Sequence, residues 1–82
     1  MNKEIEFAVG QNVKKLREKS GLTQEMLSAK FQIEGCDITR SALAKIEVGQ
    51  RHIYIDEVKL LKEIFDVSFE EIFTNFDELI NE

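Results

Sequence analysis

Residues Cys36 to Gly49 read CDITRSALAKIEVG, a run that carries a helix start, an amphipathic face and a stop in that order. Thr39 can accept a free N–H group of a helix's first turn through its side-chain oxygen, and Ile38 with Leu43 brackets it as a hydrophobic staple. The helix predicted from these signals covers about residues 39–47, and Gly49 stops it, because glycine readily takes the left-handed backbone that ends helices. On a helical wheel Ala42, Leu43 and Ile46 gather on one side, with Ser41, Ala44, Lys45 and Val48 on the other and Arg40 at the flank. One side is apolar; the other is small and basic.

The same kinds of signal recur on both sides of this stretch. Ile5, Val9, Val13 and Leu16 recur at helical spacing until Gly21 breaks the run, which predicts a first helix with Phe7 off its apolar stripe. Phe7 is expected to pack at the frayed helix end or to mark a docking surface. Thr23 caps a second helix, stapled by Leu22 and Leu27, with Leu27 and Phe31 facing inward and Gly35 closing it. Beyond Gly49, QRHIY leads to a fourth helix with Ile55, Val58, Leu61 and Phe65 expected inward and Asp56 as its cap. Ser68 and Glu71 form a capping box stapled by Val67 and Ile72, so a fifth helix starts there. The fold expected is all-α, a compact five-helix arrangement forming a single domain over 1–82, its core spanning about 5–74. The tail 75–82 holds Phe76, Leu79 and Ile80, too apolar for a disordered end. These three, with Phe7, are the candidates for a homodimer contact.

Composition narrows the function classes. No apolar run approaches the ~20 residues of a membrane span, and MNKEIEFAVG lacks the zones of a signal peptide. Cys36 is the single cysteine, as suits a chain kept reduced, and a cytoplasmic location is expected. The net charge of −5 is unevenly spread. Residues 1–51 hold nine Lys/Arg against seven Asp/Glu, or +2, whereas residues 52–82 hold two against nine, or −7. An anionic partner is therefore met by the first part of the chain, while the second part limits indiscriminate binding. No glycine-rich phosphate loop, metal-ligand cluster or cofactor motif is present, and Cys36 and His52 lack an orienting acid at fixed spacing, so an enzyme is not expected.

The small, basic face of the helix at 39–47 suits a DNA major groove, which is about 12 Å wide and admits a helix whose leading side chains let the backbone approach. Arg40 and Lys45 can reach guanine O6 and N7, Ser41 can bond either base type, and Ala44 can touch a thymine methyl. The Thr39 end offers free N–H groups and a positive dipole end to a phosphate.

LTQEMLSAKF followed by ITRSALAKIEVGQR strongly resembles the helix-turn-helix of phage Cro and CI repressors and the Xre-like bacterial regulators, with the match running over about Val13 to Phe73. FDVSFEEIF resembles the last helix junction of the same fold. The resemblance implies a helix-turn-helix DNA-binding protein that regulates transcription, most simply a repressor, with double-stranded operator DNA as partner and no metal, cofactor or small-molecule ligand. It implies that Thr23 and Gln24 meet the sugar–phosphate backbone and that Thr39, Arg40, Ser41 and Lys45 occupy base-reading positions, with Gln50 and Arg51 at backbone-contacting ones. It also implies that Arg17 and Glu47 form a structural pair bridging the first helix to the end of the third. Two departures stand out: the IEGCD region makes a longer turn than is usual between the second and third helices, and Tyr54 stands where many members carry a Ser or Thr cap. The competing reading is a helical protein-interaction module, an antitoxin or anti-regulator, acting through the acidic, Phe-rich C-terminus. A protein-only module has no need of a small, basic face at Arg40, Ser41 and Lys45.

Overall fold

The computed structural model describes residues 2–74, and the tail positions Phe76, Leu79 and Ile80 lie outside them. The described chain forms α1 (Lys3–Lys19), α2 (Gln24–Ile33), α3 (Arg40–Glu47), α4 (Ile55–Phe65) and α5 (Phe69–Ile72), with no strand among the described residues. Local chemistry explains most of the helix starts. Asn2 Oδ1 accepts from the N–H groups of Glu4 and Ile5 at 2.9 and 3.1 Å, and Glu4 and Glu6 sit in the first turn of α1, where negative charge complements the helix dipole. Thr23, Thr39 and Ser68 cap α2, α3 and α5 by accepting from the N–H groups of Met26, Ala42 and Glu71.

The start of α4 differs from the sequence expectation. Asp56 is not the cap: the helix begins at Ile55, Tyr54 occupies the N-cap position without a side-chain bond to the helix, and Glu57 Oε1 accepts the Tyr54 N–H at 2.9 Å. Asp56 Oδ1 instead accepts from the neighbouring Glu57 N–H at 3.0 Å. Ile55 does not face inward but is 89 % exposed: it is the first residue of α4, and the side chains buried from that turn are those of Glu57 and Val58.

Val9, Val13, Leu27, Phe31, Ile38, Leu43, Ile46, Val58, Leu61 and Ile72 make one buried core. Each contributes about 1.5–3 kcal/mol of transfer free energy if it is a fully buried Val, Leu, Ile or Phe, so this cluster dominates the stabilisation of the domain. Around it, α1 packs on α3, α4 and α5, while α2 packs on α3. Polar groups within the core are bonded: Asn12 Nδ2 donates to the carbonyls of Ile72 and Thr74, both at 2.9 Å, and Ser28 Oγ donates to the Ile38 carbonyl at 2.6 Å. The first bond fixes α5 on α1, and the second holds α2 to the turn that precedes α3.

Where α1 crosses the end of α3, only a glycine fits. A Cβ on Gly10 would lie 2.1 Å from the Ile46 carbonyl oxygen and 2.8 Å from that of Glu47. Gly49, at φ 76°, sits against the backbone of Phe7, where a Cβ would lie 2.9 Å from the Phe7 Cα. Phe7 itself stays off the core and half exposed.

Candidate nucleic-acid interface

α3 turns Leu43, Ile46 and Glu47 into the domain and leaves Arg40, Ser41 and Lys45 exposed, with Ala44 half-buried on the same outward side. The burial follows the helical wheel, since the staple and Ile46 can leave water only if that side faces α1 and α2. Arg40 Nε lies 3.8 Å from Glu25 Oε1, but the two side chains are 63 % and 80 % exposed. Such a pair is worth about 0–1 kcal/mol, so the guanidinium can leave it for a stronger acceptor at little cost. Thr39 is exposed and engages the first turn of α3 through the Ala42 N–H at 3.1 Å.

The end of α3 is tied to two other helices through one residue. Glu47 is 2 % exposed, and its carboxylate accepts from Arg17 Nε at 2.7 Å, Arg17 Nη2 at 3.1 Å and Gln24 Nε2 at 3.0 Å. Its backbone carbonyl accepts from Gln11 Nε2 at 2.8 Å. A carboxylate removed from water needs such partners, because an unpaired buried charge is strongly destabilising. Arg17 also donates to the Leu22 carbonyl at 2.9 Å, and its bond to Glu47 raises its pKa further above the ordinary guanidinium value, keeping it charged. The pair therefore fixes α1 to the end of α3 and to the turn before α2.

Gln24 opens α2 and is half-buried between this carboxylate and solvent. Thr23 Oγ1 accepts from the Met26 N–H at 3.1 Å, and Met26 Sδ accepts the Thr23 N–H at 3.5 Å, a weak sulfur version of a bond that Glu or Gln ordinarily provides. Arg17, Gly21, Thr23, Gln24, Glu25 and Arg40 line one shallow depression, which brings the start of α2 beside the start of α3.

The loop after α3 is fastened more tightly than its sequence suggested. The Gln50 N–H donates to the Lys45 carbonyl at 2.8 Å, closing the end of α3, while the Gln50 side chain is exposed. Arg51 makes a two-point ion pair with Glu57, both bonds 3.0 Å, donates to the His52 carbonyl at 2.9 Å and lies over the Tyr54 ring, 5.4 Å from its centre. The bond to Glu57 raises the Arg51 pKa. Arg51 thus positions the α3–α4 loop as well as standing in it. His52 Nδ1 meets Glu6 Oε1, and half-buried Cys36 has its thiol pushed up in pKa, first by desolvation and then by Glu57 and Asp56, which disfavours a reactive thiolate.

Sequence reasoning missed Gly10, Gln11, Asn12 and Glu57 as determinants of this geometry. A polar Asn12 beside Val13 on the apolar stripe was a signal for a buried hydrogen-bonding role, and Glu57 in the first turn after Arg51 was a signal for a pair. Nothing in the sequence marked Gly10 as a contact point between helices. Among the described residues, no group of His, Cys, Asp or Glu is placed to hold a metal ion, and no helix is long and apolar enough to cross a membrane.

A family model, HTH_3 (helix-turn-helix), matches residues 13–72, from the middle of α1 to the end of α5. No curated protein and no solved structure gave a match. With 60 of 82 residues matched, counted from 13 to 72, and with an all-helical fold that presents α2 and α3 side by side, the chain belongs to the helix-turn-helix family of DNA-binding regulators.

Proposed function

We propose that the chain is a sequence-specific repressor that binds double-stranded operator DNA as a homodimer and reads the major groove with α3. The observation that carries this reading is the outward face of α3, where exposed Arg40, Ser41 and Lys45 surround the small Ala44 on a helix whose opposite side is buried. Arg40 and Lys45 address guanine edges, Ser41 a base of either type, and Ala44 a thymine methyl, while Thr39 lies at the groove-facing end of the helix. Thr23 and Gln24 at the start of α2, with Gln50 and Arg51 after α3, meet phosphates and set the register. For Arg51 the pair with Glu57 leaves charge assistance to a phosphate as its contribution, with the guanidinium held in place.

Pairing of two copies follows from the small number of bases one short helix reads, and places half-sites about 34 Å apart. Phe76, Leu79 and Ile80, with half-exposed Phe7, are the proposed contact between copies. Occupancy of an operator hides promoter DNA without any further contact, which favours repression. DNA as partner and a protonated lone thiol both suit the cytoplasm.

The test is selection from a randomised DNA pool, followed by affinities for the selected site and its single-base variants at fixed salt. Gln24→Ala should weaken every site alike, whereas Arg40→Ala and Lys45→Ala should flatten the ratios, each guanine contact being worth about 1–3 kcal/mol of discrimination. Unchanged ratios in both α3 variants would show that α3 does not read sequence and would favour a protein partner. Sedimentation showing only monomer at tens of micromolar, free and on operator DNA, would remove the homodimer.

A further inference from the structure

We infer that Glu47, although buried and out of reach of DNA, is the positioning residue for the phosphate contact at Gln24. The inference rests on the proposed role of Gln24 and adds the device that makes it effective. A glutamine side chain ends in an amide whose oxygen only accepts and whose nitrogen carries two donor hydrogens. Either end can face a given neighbour, and only the nitrogen end serves a phosphate, which is acceptor-only.

The structure resolves that ambiguity chemically. Gln24 Nε2 lies 3.0 Å from Glu47 Oε1, and an ionised carboxylate offers no donor to a flipped amide, whose oxygen would face another oxygen. One N–H of Gln24 is therefore spent on Glu47, which leaves the second for a ligand, and the half-buried Gln24 lines the depression shared with Arg17, Thr23 and Arg40. Glu47 cannot drift, because Arg17 holds both its oxygens, at 2.7 and 3.1 Å, and Gln11 holds its backbone carbonyl at 2.8 Å. Arg17 also offsets the negative charge that would otherwise repel the phosphate. Since Glu47 is the last residue of α3, the same carboxylate fixes the donor on α2 relative to the reading helix, so that phosphate contact and base contact share one register.

A merely structural Glu47 and a positioning Glu47 differ in a double-mutant cycle read on affinity. Gln24→Ala is measured on operator DNA in the wild-type background and in Glu47→Gln, whose amide can take either orientation and so removes the constraint. A hydrogen bond to a charged acceptor corresponds to about tenfold or more in affinity, so Gln24→Ala should cost about tenfold in the wild type and less than about threefold in Glu47→Gln. Should Glu47→Gln fail to fold by circular dichroism, the background becomes Arg17→Met/Glu47→Met, which leaves no orphaned charge. In the free wild-type protein, the Gln24 side-chain amide should show one slowly exchanging proton by NMR, and this protection should vanish in either background. An equal Gln24→Ala penalty in both backgrounds, or two equally fast Gln24 amide protons in the wild type, would overturn the inference while leaving DNA binding intact. Absence of DNA binding by the wild type would instead overturn the functional reading beneath it.

Discussion

Replacing Gly10 by alanine should destabilise this protein, although the same change in an exposed helix interior is favourable by about 1 kcal/mol. The added Cβ would sit 2.1 Å from the Ile46 carbonyl oxygen, and ordinary contact begins at 3.4 Å, so α1 and α3 must separate by 3.4 − 2.1 = 1.3 Å along that line. The neighbouring Gln11 Nε2 to Glu47 carbonyl bond, now 2.8 Å, would stretch to as much as 2.8 + 1.3 = 4.1 Å and cease to be a hydrogen bond. Overpacking costs about 1–3 kcal/mol and the lost bond about 1 kcal/mol more, against the 1 kcal/mol gained in helix propensity. The net loss of about 1–3 kcal/mol corresponds to a melting temperature lower by roughly 5–20 °C in a domain of this size. Thermal unfolding followed by circular dichroism at 222 nm, a helix signal, measures it. A Gly10→Ala variant that melts at or above the wild-type temperature would refute the close crossing of α1 over the end of α3, and with it the placement of α3 on α1.

Arg17→Met should also lower thermal stability, by about 3–5 kcal/mol, because Glu47 would remain buried with Gln24 as its remaining side-chain partner; a variant that melts normally yet binds DNA poorly would move the pair into the interface. Ile55→Ser should change stability by less than about 0.5 kcal/mol in denaturant unfolding, since this side chain lies at the exposed start of α4, and a loss above about 2 kcal/mol would restore it to the core. The Cys36 thiol, pushed up in pKa by burial and nearby carboxylates, should react with a disulfide reagent at pH 8 more slowly in the folded protein than in urea, and equal rates would show that it is not shielded.

The amino-acid sequence by itself determined where α2, α3 and α5 begin and which side of α3 turns inward, because those choices depend on residues within about one turn of each other. Thr23, Thr39 and Ser68 cap helices through N–H groups three residues on, and the spacing of Leu43 and Ile46 settles the inward side of α3. The same local logic misplaced the cap of α4, where Asp56 has the right chemistry but Glu57 reaches back to Tyr54 and holds Arg51 as well. Resemblance to Cro- and CI-like regulators supplied the Arg17 and Glu47 pair, which no periodicity would have joined across 30 positions. Tertiary structure alone decided how the elements meet: that Gly10 lies under the end of α3, that Asn12 bonds a carbonyl 60 residues away, and that Gln11, Arg17 and Gln24 converge on Glu47. Those contacts depend on the crossing of whole helices, which is set by the summed packing of the core. A side chain's own neighbours in sequence carry no record of it, and so the face of α3 was legible from its residues while the frame that aims it was not.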